Sequence, residues 1–263
     1  MTILDWWLLH QDSSHARHIL KEVVGHGMIS SAPLTQDQYD KLESIMARVN
    51  KGEPLAYVIG SQPFLDCDIK VTPDVLIPRP ATEEAVARLI ETLPSTGDFL
   101  DMCTGSGCVA IAIKKARPGW RVYAIDASQA ALGMAQKNAA LNQVSIMCRL
   151  WDIRHKPPVD LPKRWDVIFA NPPYVSEDDY KQELSLHYEP KSALVPGDNP
   201  IVLYHDICRY AKNYLDHNGS LWFEYGHNQK NGIEKIVNSV GLRVKSCYAD
   251  MQGFDRVMHC TTS

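Results

Sequence analysis

The chain has 263 residues, of which 45% are apolar and 22% charged, with a formal net charge of −4. That length suits one domain of about 200 residues plus a small addition, and the composition is that of a folded globular protein and neither disordered nor membranous. The slightly negative total argues against a protein that holds nucleic acid by counterion release. Seven cysteines, at 67, 103, 108, 148, 208, 247 and 260, include no C-x-x-C pair, which argues against a disulfide framework or a structural zinc; we expect no metal and a reducing, cytoplasmic setting.

Near the start Ile3, Leu4, Trp6 and Trp7 are apolar, but Asp5, His10 and Asp12 interrupt them before a signal-peptide core forms. No run approaches the roughly 18 apolar residues of a membrane span, so no membrane contact is expected. The first fifty residues read as helices. Thr35 and Gln38 have the spacing of a capping box, and Tyr39, Leu42, Ile45, Met46 and Val49 then fall on one helix face. That helix should end near Asn50 to Gly52, which sets a helical domain over residues 1–52. Leu55 to Ile59 and Phe64 to Val71 are β-rich runs separated by Gly60 to Pro63, and predict a linking hairpin within residues 53–75. Residues 76–263 form the remaining domain, opening with a helix from Thr82 to Leu93 whose first turn holds Glu83 and Glu84.

From there strands and helices alternate. Strands are predicted at Phe99 to Cys103, Arg121 to Asp126, Ser145 to Leu150, Trp165 to Ala170 and Ser220 to Tyr225, with helices at Val109 to Ala116, Ser128 to Leu141 and Ile201 to Leu215. Short apolar strands joined by helices imply parallel pairing with both faces covered, an α/β fold. Val244 to Asp250 and Arg256 to Thr261 leave no room for a helix between them and should pair antiparallel. An otherwise parallel sheet that ends in such a pair resembles the class I S-adenosylmethionine-dependent methyltransferase fold: seven strands, mostly parallel and doubly wound, in the order 3-2-1-4-5-7-6.

Three features carry chemistry. Asp101 to Cys108 spans the turn from the first strand of this sheet into the next helix, and its Thr104, Gly105, Ser106 and Gly107 allow close approach of backbone to a ligand. Asp126 ends the second strand, where a carboxylate accepts hydrogen bonds from ribose hydroxyls. The third glycine of the pyrophosphate fingerprint is missing, which favours S-adenosyl-L-methionine, a nucleoside without phosphates, over a dinucleotide. Asn171-Pro172-Pro173-Tyr174 follows the fourth strand directly. A planar amide or amine nitrogen is a poor nucleophile because its lone pair is delocalised, so it needs orientation more than a strong base. The Asn171 side-chain carbonyl and the Pro172 backbone carbonyl are expected to accept its two N–H bonds, while Tyr174 packs on the flat group and the prolines stiffen the loop. Catalysis is thus expected from Asn171, Pro172 and Tyr174, and substrate binding from those three with Pro173.

These residues resemble the peptide chain release factor glutamine methyltransferases. The likeness runs from about Leu34 to Met258, through Gly52-Glu53-Pro54, Tyr57 to Gly60, Ile77 to Pro80 with Thr82-Glu83-Glu84, Asn171 to Tyr174, Tyr188-Glu189-Pro190 and Asp255-Arg256-Val257. It implies methylation of the glutamine in the Gly-Gly-Gln loop of a release factor, with the N-terminal helices docking that partner. It also implies cofactor binding by Cys103 to Gly107, Asp126, the region of Ile153, and Asn171, with Arg79 and Glu83 near the wall of the site. Cys103 stands where the family more often has a glycine, Ala81 replaces an acidic residue, Asn218 replaces a glycine, and the stretch Asp198 to Pro200 lacks one. The N-terminal helical part is also shorter than usual. Two alternative substrates share the same chemistry: a glutamine of a ribosomal protein, and the exocyclic amine of adenine in nucleic acid. A silent cofactor-binding partner is a further class, opposed by the intact Asn171 and Pro172. A monomer is the default expectation.

Overall fold

Side-chain caps open the first helices. In this computed structural model, which describes residues 1–25, 29–197 and 199–262 and so leaves Asp198 outside, Thr2 and Asp5 cap each other reciprocally at the head of α1 (Ile3–His10). Thr35 and Gln38 form the expected capping box before α3 (Gln36–Val49), and α2 (Ala16–Val24) lies between them. The apolar faces of these helices meet in a small core of Trp6, Ile19, Leu20, Leu42, Ile45 and Met46. Leu55–Ile59, expected as a strand, is instead a short helix, α4. Pro54 fixes the backbone at its entry and Gly60 stops it, and over five residues those end signals outweigh the β-rich composition. The strand pair comes later, as β1 (Ser61–Phe64) and β2 (Cys67–Lys70). The described chain divides into two compact units, Met1–Ser61 and Gln62–Ser263.

The second unit is built on a seven-stranded sheet. After α5 (Pro80–Thr92) come β3 (Asp98–Met102), α6 (Cys108–Ala116), β4 (Arg121–Asp126), α7 (Gln129–Leu141), β5 (Met147–Leu150) and β6 (Trp165–Ala170). Then follow α8 (Glu177–Gln182), a 3-10 turn at Leu184–Tyr188, α9 (Lys191–Leu194), α10 (Val202–Tyr214), β7 (Leu215–Glu224), α11 (Lys230–Ser239), β8 (Leu242–Ala249) and β9 (Asp255–Thr262). The order across the sheet is β5-β4-β3-β6-β7-β9-β8. Counted from β3 as the first strand, this is 3-2-1-4-5-7-6. The strands β3 to β7 run parallel, and β9 pairs antiparallel with both β7 and β8. One face is filled by Leu100, Ile168, Leu221 and Phe223 against Tyr204, Ile207 and Ala211 of α10. The sequence reading missed α11, although Ile233, Ile236, Val237 and Val240 recur at three- and four-residue spacings along it.

The strand order brings the carboxyl ends of β3, β4 and β6 side by side, which is where ligands bind in open α/β sheets. A clasp beneath this edge comes from α7. Asn138 is fully buried; its amide donates to Lys70 O and Ser106 O, both at 2.9 Å, and its Oδ1 accepts from Lys70 N at 2.9 Å. One side chain thus ties β2 to the loop that follows β3. Asn142, at the end of the same helix, repeats the exchange with Asp68 at an exposed position. Replacing Asn138 by Ala leaves the buried Ser106 carbonyl unpaired and removes the two part-buried bonds to Lys70, so urea unfolding should show a loss of about 2–3 kcal/mol. Asn142→Ala should cost less than about 1 kcal/mol, because water replaces its bonds.

Candidate active site

The loop after β3 turns through three left-handed residues, Cys103 (φ 58°), Gly105 (φ 54°) and Gly107 (φ 82°). At Gly107 a Cβ would lie 2.9 Å from the Ala135 Cβ, so α6 and α7 approach there only because there is no side chain. At Gly105 a Cβ would meet nothing within 4 Å, and the bare backbone faces open space. Cys103 holds the conformation that glycine adopts most cheaply, which explains why glycine is the commoner residue there in the family it resembles. Thr104 anchors the turn by donating its N–H to Ile125 O at 2.9 Å and its hydroxyl to Asp101 Oδ2.

Asp126, at the end of β4, closes the turn from the other side. Its Oδ2 accepts from Gly105 N and its Oδ1 from Ser128 N, both at 2.9 Å. Each carboxylate oxygen has about two acceptor sites, so one remains on each. Together these residues border a cavity of about 350 Å³, within the range of small-molecule sites. Of the residues singled out in the sequence, Cys103, Thr104, Gly105, Ser106, Asp126, Ile153, Asn171 and Pro173 line it. Gly107, Pro172 and Tyr174 do not. Arg79 also lines it, paired with Glu189, which in turn accepts from Ile77 N at 3.0 Å. Glu83 is elsewhere, accepting from Leu65 N at 2.6 Å in the hairpin turn.

Two carboxyls are buried at the site. Burial pushes Asp101 up to about 7, against hydrogen bonds from the Thr104 hydroxyl and Ala110 N. Glu224, at the end of β7, is raised by burial, against hydrogen bonds from Thr82 and Tyr174 and the positive charges of Arg256 and Arg79. Thr82 Oγ1 donates to Glu224 Oε2, Tyr174 Oη donates to Oε1 at 2.9 Å, and Asn171 Nδ2 donates to Thr82 Oγ1 at 3.1 Å. Gln229 Nε2 holds Tyr174 O at 2.8 Å. The sequence reading did not single out Thr82 or Glu224. An acid inside the apolar run Leu221 to Tyr225 was the available signal, since such a group needs partners when buried.

Residues 80–246 match the family model described as methyltransferase small domain. The chain is 36% identical over 247 residues to the release factor glutamine methyltransferase of Thermodesulfovibrio yellowstonii, covering 92% of this chain and 88% of that one. It is 36% identical over 228 residues to the protein of the same name from Coxiella burnetii, covering 86% and 81%. The chain belongs to the release factor glutamine methyltransferase family. A solved methyltransferase from Pyrococcus furiosus, 16% identical, shares the fold with a TM-score of 0.58 over 83% of this chain and 98% of that one. As a family member the chain is an S-adenosylmethionine-dependent methyltransferase.

In this member of the family, Asp101 gives a measurable signature. Its folded carboxyl titrates near 7, well above the ordinary value of 3.8, so its contribution to stability is complete below that ordinary value and is lost as pH rises toward 7. Asp101→Asn keeps an oxygen acceptor for Thr104 and Ala110 but carries no charge. Relative to wild type, the cofactor-free variant should gain about 2–3 kcal/mol between pH 5 and pH 7 and then level off. Thermal melts across that range read the difference directly, and a constant offset would contradict the assignment.

Proposed function

We propose that the chain transfers a methyl group from S-adenosylmethionine to the side-chain amide nitrogen of the glutamine in the Gly-Gly-Gln loop of a peptide chain release factor. The observation that carries this reading is Asn171, an amide held by its nitrogen at the carboxyl end of β6 and bordering the same cavity as Asp126 and the Gly105 turn. Relatives 36% identical over 92% and 86% of the chain are named for release factor glutamine, which favours that substrate over a ribosomal protein or a nucleobase.

The residues present fit the cofactor. The two remaining acceptor sites on Asp126 suit the paired hydroxyls of a ribose, and Gly105 offers backbone without a side chain in the way. Ile153 and Cys103 supply less polar wall, and the carboxyls of Asp101 and Asp126 suit a ligand bearing positive charge. S-adenosylmethionine held there would supply a methyl group on a sulfonium, a leaving sulfur that keeps the electron pair of the broken S–CH3 bond, and the proton of the methylated nitrogen would pass to solvent.

The protein's part is orientation. Asn171 Oδ1 and the Pro172 carbonyl accept the two N–H bonds of the substrate amide and aim its nitrogen along the line of attack. Pro172 is buried and Pro173 lines the cavity, so the loop is held from behind. Tyr174 lies outside the lining and supports the loop through Glu224, a different role from packing on the substrate. Leu4, Leu8 and Leu9 of α1 are exposed, and this helical unit carries the docking of the release factor. The partner is a protein met in the cytoplasm, with no contact to nucleic acid or membrane, and among the described residues no helix is long and apolar enough to cross a membrane.

Labelled methyl from S-adenosylmethionine should enter a purified release factor, and replacing its loop glutamine should abolish the label. Label that persists without that glutamine would refute the substrate. Asn171→Ala should lower kcat by roughly 100-fold or more while cofactor Kd stays within about threefold. An unchanged kcat would remove the amide clamp.

A further inference from the structure

We propose that Thr82 and Glu224 are positioning residues that fix which way the Asn171 amide faces, through a one-way chain of hydrogen bonds ending on the Glu224 carboxylate. The proposal deepens the reading given above and rests on it for the role of Asn171.

An asparagine amide has nearly the same shape either way round, but opposite chemistry. Facing a substrate NH2, the oxygen attracts and the nitrogen repels. A clamp that selects an amide nitrogen therefore needs its oxygen turned toward the cavity, and Asn171 cannot enforce that alone. The surrounding residues do. Glu224 Oε1 accepts a hydrogen bond from Tyr174 Oη at 2.9 Å, and Oε2 accepts one from Thr82 Oγ1. An ionised carboxylate only accepts, and a threonine hydroxyl has one proton to give. That proton goes to Glu224, so the Thr82 oxygen is left to accept. Its partner 3.1 Å away must then be the Asn171 nitrogen, which leaves Oδ1 for the substrate.

Thr82 and Glu224 are 2% and 1% exposed, so water is not at hand to take over either partner. In such surroundings a hydrogen bond of the wrong polarity costs more than in solvent. Burial, the largest influence, raises Glu224 while Arg79, Arg256 and the two hydroxyl donors oppose that shift, and the geometry, with a hydroxyl on each carboxyl oxygen, is that of an acceptor at both. The three links come from separate elements: Thr82 from the first turn of α5, Glu224 from the end of β7, and Asn171 from the loop after β6. Their meeting also registers α5 against the two strands that carry the site.

The glutamine form of Glu224 has the same shape but both donates and accepts. It lets Thr82 reverse and admits the flipped amide. Valine at 82 keeps the shape of threonine and removes the relay, whereas serine restores the hydroxyl. The test measures kcat, release-factor KM and cofactor Kd for wild type, Thr82→Val, Thr82→Ser and Glu224→Gln. We expect Thr82→Val and Glu224→Gln to lose roughly 10–100-fold in kcat, with KM and Kd within about threefold, and Thr82→Ser to recover most of the loss. Full kcat in Thr82→Val or Glu224→Gln overturns the proposal. So does a kcat loss matched by loss of cofactor affinity, which reports a damaged cavity and not a turned amide. A readout without substrate separates this from the parent reading: the Asn171 side-chain amide signal in NMR, identified by its absence in Asn171→Ala. Its protons should exchange slowly in wild type and Thr82→Ser and fast in Thr82→Val; equal exchange in all three overturns the relay even if the wild type transfers no methyl to a release factor.

Discussion

A carboxylate placed out of reach of water at the end of a central strand has to be solvated by the protein itself, and at Glu224 the groups that do this are the ones that shape the site. Burial of an unpartnered ion is costly enough that the fold must deliver donors to it. It receives one from α5, Thr82, and one from the loop after β6, Tyr174, while Tyr204 of α10 donates its hydroxyl to the Glu224 carbonyl at 2.8 Å. Satisfying this one residue therefore ties a helix and a loop to β7. The Asn171 loop inherits its rigidity from that requirement, and Gln229 adds a further hold on Tyr174 from behind.

The wall of the cavity formed by the turn after β3 is organised by a second set of obligatory bonds. The left-handed turn from Cys103 to Gly107 carries backbone groups that secondary structure does not pair, so Thr104 bonds to β4, Gly105 to Asp126 and Ser106 O to Asn138. Each bond that satisfies the loop also positions a residue that lines the cavity. Asn138 passes this restraint on to β2, so the hairpin is part of the support for the turn although it lies away from the chemistry.

The sheet was legible in the sequence because its strands are short, apolar and separated by helices of regular length. Trp165–Ala170 and Arg121–Asp126 emerge with the expected bounds. The order of strands followed from the resemblance and from the antiparallel end, where Met251 to Asp255 leave no space for a helix. Leu55–Ile59 was misread because composition over five residues says less than the proline before it and the glycine after it. For α11 the periodic signal was present in Ile233, Ile236, Val237 and Val240, but Asn231, Gly232, Asn238 and Ser239 at its two ends favour loop over helix and masked it. At the site, Asp126 and Asn171 stood out because they sit at strand ends in recognisable motifs. Thr82 and Glu224 are 142 positions apart, so although an acid inside the apolar run Leu221 to Tyr225 signals a buried partner, no local pattern tells which residue that partner is.

Two acids that line the cavity, Asp101 and Asp126, also explain why it suits a positively charged ligand. Asp101 and Asp126 are both raised by burial, and the proximity of Asp126 raises Asp101 further. Without a ligand, ionising both near neutral pH carries a cost in folding free energy. A bound cation reverses the sign of that electrostatic balance: it favours both charges at once and draws Asp101 toward its ionised state. Binding and ionisation are then linked, so part of the intrinsic attraction for the cofactor is spent on removing a proton from Asp101 at pH below 7 and is recovered above it. The spent cofactor, whose sulfur has lost its methyl group and its positive charge while its amino and carboxylate groups remain, receives less of that help. On the reading proposed above, the same carboxyls that cost stability in the unliganded protein favour the cofactor before transfer over its spent form.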